Sequence, residues 1–497
     1  MRRAALLVAV CFLLAGCAGL APAADTSTAT PETTATPEQD DSTNASAAVS
    51  HTERPDPETD TLGWEDGYWH DDPIAVNASD GLNASERDRA ISRAMARVEM
   101  IRGLEFEESV NVSVVSRSNY SSGDGRNADE AFRRFDNAKF EALYLIGTQN
   151  DSLDEQEETL DQAVAGFYSP GRGDIVLVSN SDSPQFDGER TLAHELVHAL
   201  QDQHFNLSNS NVETRDAYNG RNGLIEGDAR TVEQVYLDRC GEDWSCLPSE
   251  QSGPGQAPDD ATEASAPDIH LGVYILEYFP YSDGIGFVRS LRAGGDWTAV
   301  NDAFESPPTS ARPVIYPEEY DQFEPRDVEL TDRTSNGWER VRPSTRADHA
   351  TLGQSALTAM FAYTLYDDYN RSAVISPRTF LNFDGAGSVN MTDPFNYDLP
   401  ATRGWAGDRM HVYQRADETG YVWRLGWDSP TDAQRFADKY EQLLSHWGGS
   451  QRPAGHWEIA ADSPFTGAVD VTVDGDIVTI VSGPSADTLK DIHGETE

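Results

Sequence analysis

His194-Glu195-Leu196-Val197-His198 is the stretch on which the reading of this chain turns. On an α-helix, residues i and i+4 share a face, so both imidazoles reach one point. A zinc ion takes neutral imidazole nitrogen at about 2.0–2.1 Å. Glu195, beside the first histidine, stands where a carboxylate takes a proton from an activated water. By composition the pattern arises by chance ~0.02 times in a chain of this size, so its presence is informative. Leu192, Leu196, Ala199 and Leu200 supply an apolar face, and a helix is expected from about Gly188 to His204.

Two residues compete to be the third ligand. Continuing the helix gives His194-Glu195-x-x-His198-x-x-Gln201-x-x-His204. That spacing is similar to the metzincin pattern, except that Gln201 stands where metzincins have the glycine that lets the chain fold back. With Gln201 the helix is expected to continue, carrying His204 ~9 Å along the axis beyond His198. The other candidate is Glu226, in Gly223-Leu224-Ile225-Glu226-Gly227-Asp228-Ala229, on a second helix expected from about Asn222 to Arg239. Gly227 and Ala229 leave room for two helices to approach. Two histidines, one glutamate and an open fourth position form a catalytic rather than a structural zinc geometry.

From Ala165 to Glu233 the chain resembles the catalytic core of gluzincin-type zinc metallopeptidases: a strand, an H-E-x-x-H helix, then a glutamate on the next helix. The resemblance implies an α+β fold with a zincin-like metallopeptidase domain and Zn2+ as cofactor. It makes His194, His198 and Glu226 the metal ligands and Glu195 the general base of peptide-bond hydrolysis. It makes the strand Asp174–Val178 the edge that pairs with an extended peptide. Many gluzincins place an aspartate four residues after the ligand glutamate to orient a histidine, but here that position is Arg230. Asp228 and Asp202 are the alternatives. For stabilising the transition state, His270, Tyr316, Tyr320 and His349 are available. The run Gly404-Trp405-Ala406-Gly407-Asp408-Arg409 is similar to one in exported H-E-x-x-H proteins of unknown substrate.

Around this core the chain divides into four parts. Residues 1–16 read as a lipoprotein signal peptide: Arg2-Arg3, an apolar run from Ala4 to Leu14, then Leu14-Ala15-Gly16-Cys17, which looks like a lipobox with lipid on Cys17. Residues 17–72, rich in Thr, Pro and acid, are expected to be a disordered tether. Residues 73–395 form the expected metallopeptidase domain. There Ala165–Tyr168 and Ile175–Val178 make a hairpin, Gly284–Arg292 and Trp297–Phe304 separate helices, and 247–267 a surface loop. Residues 396–497 are expected to form a small C-terminal α+β domain. Cys240 and Cys246 are suited to a disulfide outside the cell.

Composition narrows the setting. The 497 residues carry 37 Lys+Arg against 85 Asp+Glu, a net charge of −48. Nucleic acid and anionic lipid are excluded as partners, because both are polyanions. Only Lys139, Lys439 and Lys490 are lysines. This texture resembles proteins of salt-in halophiles such as haloarchaea, whose acidic surfaces rely on salt screening. No run of apolar residues is long enough to span a bilayer. The expectation is a monomeric cell-surface protein, anchored through Cys17, that hydrolyses peptide or protein substrates with zinc. The alternative is a non-catalytic zincin-fold protein binding peptides or envelope components; a zinc site acting on another amide is a third.

Overall fold

The computed structural model describes residues 54–76, 82–121, 128–180, 188–208, 212–247, 269–344, 346–370 and 372–494, and the backbone of Leu14–Ala15. Cys17, the rest of the expected signal peptide, the tether up to residue 53 and the expected loop beyond residue 247 lie outside these residues. The fold is mixed α+β, as expected. No helix among the described residues is long and apolar enough to cross a membrane.

The first half is built on helices α1 (Ala84–Arg102), α2 (Glu130–Ala142), α3 (Ser152–Ala163), α4 (Arg190–Phe205), α5 (Arg215–Arg239) and α6 (Leu271–Glu305). A small sheet lies beside them, with β1 (Asn111–Ser116), β2 (Val164–Ser169) and β3 (Asp174–Ser179). β3 is antiparallel to β2 and parallel to β1, so it sits between them. This corrects the expected edge role of Asp174–Val178. Ile175-Val176-Leu177-Val178 is a continuous apolar run, the mark of a strand covered on both faces, and such strands are interior. β2 runs antiparallel to β3, and its outer side pairs in parallel with the backbone of Leu14–Ala15.

Helix ends follow their local chemistry. Asn83 and Glu86 form a reciprocal capping box at the start of α1, and Gly103 closes it in the left-handed region. Thr214 caps α5 seven residues earlier than expected, because its hydroxyl accepts the Ala217 N–H. The two helices expected at 284–292 and 297–304 are the later parts of α6, which changes direction where Gly295 and Asp296 leave helical φ/ψ.

The tether also ends earlier than residue 72. Trp64–Glu65 and Tyr68–Trp69 pair as a hairpin against α1. The Gly63 amide donates to Glu99 at 2.8 Å, and Arg97 and Arg93 donate to the His70 and Asp72 carbonyls. Beneath the hairpin, burial and their mutual charge push Glu65 up to about 9; burial pushes Glu99 up to about 7 despite the Phe106 and Gly63 amides it accepts. Both folded values exceed the ordinary 4.5, so the folded state holds more protons than the unfolded chain. Their contribution is therefore full below pH ~4.5 and lost as pH rises towards ~9. Glu65→Gln is expected to raise the melting temperature relative to wild type, by a margin that grows from pH 5 to pH 9. Thermal melts across that range check this, and a margin independent of pH would refute it.

The second half is a seven-stranded antiparallel sheet. Its strands are β4 (Glu339–Arg340), β5 (Trp405–Arg415), β6 (Glu418–Trp427), β7 (Gly449–Gln451), β8 (Trp457–Ile459), β9 (Gly467–Asp474) and β10 (Ile477–Gly483). They are ordered β7-β8-β9-β10-β6-β5-β4. Between β4 and β5 in the chain runs the apolar helix α7 (Gly353–Tyr363), and α8 (Pro430–His446) covers the sheet. Asp408 explains the Gly404–Arg409 run. Its buried carboxylate accepts the Leu352 and Gly353 amides at the start of α7 and the indole N–H groups of Trp405 and Trp423. That pins α7 to the sheet, while α7 also packs on α5 and α6. One apolar core consequently runs from Phe135 through Phe279 and Phe361 to Trp423, so the expected break at 395/396 is no break in packing.

Candidate metal centre

α4 brings His194 and His198 to one side, and α5 crosses it to present Glu226. The crossing of α5 with α6 depends on glycine. A Cβ built on Gly227 would fall 2.2 Å from the Gly284 carbonyl oxygen, and one on Gly284 would fall 2.3 Å from that of Gly223. The backbones therefore touch where no side chain intervenes, and Glu226 sits beside that contact. Gly227 thus meets α6 and not, as the sequence suggested, the metal helix α4. Ala229 instead lies in the cluster shared with α1 and α4.

Three atoms converge. His194 Nε2 and His198 Nε2 are 3.2 Å apart, and Glu226 Oε2 lies 3.1 Å from the first and 3.3 Å from the second. Ligands at 2.0–2.1 Å around a tetrahedral ion are separated by roughly 3.3 Å. This triad is the group of three His, Cys, Asp or Glu that could hold a metal among the described residues.

The surroundings decide which nitrogen of each ring faces inward. Glu233, an ionised acceptor, takes the Nδ1–H of His194 at 3.1 Å. Gln201 donates through Nε2 to the Ile225 carbonyl and to Asp228, both at 3.0 Å. Its Oε1 is thereby turned to accept the Nδ1–H of His198 at 2.9 Å. Each Nδ1 is thus engaged by an acceptor, which leaves both Nε2 atoms facing the shared centre, the nitrogen each ring would give to a metal. Glu233 is held in turn by Arg190 and Arg230, each at 3.0 Å. Burial alone would raise Glu233, but Arg230 foremost and the His194 hydrogen bond hold it well below the usual carboxylate range. Glu226 balances the same way: burial opposes its charge, and His198 and His194 bring it down to about 2.

Glu195 is fully buried; no side chain hydrogen-bonds its carboxylate, and only the Tyr168 backbone lies close enough to favour its charge. Burial pushes it up to about 7, against the pull of His198 and His194. An orphaned carboxylate beside three converging donors fits a metal site, where water or substrate supplies the missing partner. The residues present thus fit a divalent ion with nitrogen and oxygen ligands.

Several residues stand elsewhere than the sequence suggested. α4 runs straight through Gln201 to Phe205, and His204 Nε2 lies 2.7 Å from the Glu105 carbonyl, apart from the ligands. Asp202 accepts from Tyr168 and the Leu207 amide rather than serving a histidine. Asp228 acts on His198 only through Gln201, and is itself paired with Arg102 at 2.9 Å. His270 caps α6, Tyr316 donates to Asp398, Tyr320 to the Ser306 carbonyl, and His349 lies beside Asp348. The tyrosine at the centre is Tyr281 of α6. Its hydroxyl donates to Glu226 Oε1 at 3.1 Å, and its ring stacks on His194. Glu233 was legible in principle, lying two helical turns beyond Glu226 on the same face. Tyr281, 55 residues from Glu226, carries no local signal.

Cys240 and Cys246 form a disulfide after α5. The chain beyond it returns to the metal helix: the Leu247 amide donates to Glu189 at 2.9 Å, just before α4. Glu189 also takes Arg93 and Arg97 from α1 and the Tyr236 hydroxyl from α5. One buried carboxylate therefore ties the two ligand-bearing helices to α1.

Replacing Glu233 by Gln is expected to weaken zinc binding about 10–100-fold while leaving one site per chain, because the partner that sets the His194 tautomer loses its charge. Competition against a chromogenic chelator measures this; unchanged affinity would mean that Glu233 does not orient His194.

Residues 339–493 match the family model of a domain of unknown function, DUF8575. No curated protein matches the chain, and no solved structure does. The match covers less than half of the chain and excludes the metal centre, so the geometry of that centre carries the functional reading.

Proposed function

We propose that this chain is a zinc-dependent endopeptidase with a zincin-like catalytic half, exported and held at the cell surface by lipid on Cys17. The observation that carries the reading is the buried triangle of His194, His198 and Glu226, with both Nε2 atoms turned inward and Glu195 unpartnered beside it. Those three residues would hold the ion, which when bound supplies Lewis acidity for a water and a carbonyl. Glu195 takes the proton of the attacking water and passes it to the leaving amine. Tyr281 donates to Glu226 Oε1, which leaves Oε2 as the oxygen that faces the two histidines. A chain of net charge −48 fits polypeptide substrates better than nucleic acid or anionic lipid.

The second reading, a non-catalytic zincin-fold protein that binds peptides or envelope components, is favoured by the depth of the centre. His194, Glu195 and His198 are all 0 % exposed. The orphaned Glu195 weighs against it, since a purely structural site gains nothing from an unpaired buried carboxylate.

The test is metal analysis and peptide hydrolysis on the full chain purified in molar salt. About one zinc per chain is expected, with hydrolysis stopped by a chelator and restored by zinc. Zinc without hydrolysis across a broad peptide library supports the second reading. Metal-free protein that is indifferent to chelators sinks both.

A further inference from the structure

The second half carries a feature that catalysis does not use. Residues 381–395 fold back as a short antiparallel arm, bridged at Leu381–Phe395 and Phe383–Val389. Asp384 ties the turn by accepting the Ala386 and Ser388 amides, each at 2.9 Å. At the base, Phe380, Leu381 and Phe395 are buried in the core. Further out, Phe383 is 48 % exposed and Met391 42 %. Phe383 follows Leu381 by two residues, so it continues the face that packs on the core, beyond the point where the core ends. The other exposed large apolar side chains among the described residues, Leu62, Tyr369 and Val473, are less exposed, at 39, 37 and 38 %.

The arm is fastened beside the metal centre. Ser282 Oγ lies 2.7 Å from Asp393 Oδ1 and 3.0 Å from the Phe395 carbonyl, and it accepts the Phe395 amide at 3.2 Å. Ser282 directly follows Tyr281, which holds Glu226. Arg230 donates to the Thr392 carbonyl at 3.4 Å and also pairs with Glu233, the partner of His194. Met391 is thus next to a residue that touches Arg230, and Arg230 is one turn, about 6 Å, along α5 from Glu226. The ligands are buried, whereas Tyr281 is half-buried and the Arg190 side chain 49 % exposed. The centre therefore approaches solvent on the side of Tyr281 and Arg190, next to the arm.

We propose that this arm reads the substrate: Phe383 and Met391 seat an apolar side chain of the polypeptide a few residues from the bond that is cut. The inference rests on the endopeptidase reading above and gives the region of unknown function a role in it. An extended peptide repeats its side chains on one face about every 7 Å, so a chain passing the centre brings one to the arm. Where charge is unscreened, net charge −48 also disfavours a second copy of this chain or an anionic lipid surface as occupant.

The probe is a pair of peptides about eight residues long, identical except for Leu or Asn at one position scanned along them. Binding is measured to the full chain carrying Glu195→Gln, so that nothing is consumed. The Leu peptide is expected to bind about tenfold tighter at the best position. With Phe383→Ser and Met391→Ser added, the gap is expected to shrink to within about twofold at unchanged zinc content. The pair Phe383→Leu and Met391→Leu should keep the gap. Survival of the gap in the serine variant overturns the proposal, as does the absence of any gap at the start. Wild-type cleavage of both peptides at equal rates removes the arm's role but leaves the endopeptidase standing. Zinc-loaded chain that neither binds nor cleaves any peptide removes both.

Discussion

Glu195→Gln is expected to lower peptide hydrolysis by about 10²–10⁴-fold while the chain keeps its zinc and gains, rather than loses, thermal stability. The three readouts come from one observation. Glu195 is fully buried, and no side chain hydrogen-bonds its carboxylate. An unpartnered carboxylate in that position is costly to the fold, and burial raises it to about 7 as a result. The neutral amide has nearly the same shape and avoids that cost. It cannot accept a proton from water, so proton transfer to the leaving amine is lost with it. A residue kept for stability shows the reverse, a lower melting temperature with little change in rate. Hydrolysis rates, metal analysis and thermal melts on one preparation separate the two. Retained activity in Glu195→Gln would assign the proton transfer to another group.

Gly227→Ala is expected to loosen the whole centre. The added methyl would lie 2.2 Å from the Gly284 carbonyl oxygen and 2.4 Å from its carbon, and both atoms are backbone. Neither can rotate away, so α5 and α6 must separate. Overpacking of this kind costs about 1–3 kcal/mol, and a contact this close belongs at the upper end. The separation also withdraws Glu226 from the histidines and Tyr281 from Glu226, so zinc affinity should fall together with melting temperature. Gly286→Ala, also on α6, is the control. Nothing lies within 4 Å of its Cβ, and an exposed helical glycine replaced by alanine should stabilise by roughly 0.5–1 kcal/mol. If Gly227→Ala melts and binds zinc like wild type, the glycine contact does not set the position of Glu226.

The local pattern at the centre was readable because helix geometry is short-ranged. A spacing of four puts His194 and His198 together whatever the rest of the chain does. The apolar stripe places them on a buried helix, and Gln201 in place of glycine keeps that helix straight, which removes His204 from contention. The disulfide was equally local: Cys240 and Cys246 are six apart, around a turn. The errors share a cause as well. The resemblance makes Asp174–Val178 an edge, whereas its unbroken apolar run suits the strand between two others that it forms. Trp64, Tyr68 and Trp69 stand among acids that read as tether, yet they form an aromatic hairpin. The expected boundary at 395/396 follows the change from helix to strand, and one apolar core runs across it beside Asp408 and α7.

What the sequence determined alone is the pair of imidazoles, the carboxylate between them, the direction of α4 and the acidic, lysine-poor character of the surface. Each depends on neighbours within a turn or two, or on composition, and needs no partner from elsewhere in the chain. Tertiary structure decided the rest. It brought Glu226 to the histidines by letting α5 and α6 touch at glycine, chose Glu233 and Gln201 rather than an aspartate to fix the two tautomers, and set Tyr281 behind the third ligand. Those choices depend on where helices cross, and a crossing is set by the summed packing of residues far apart in the chain, which no single spacing encodes.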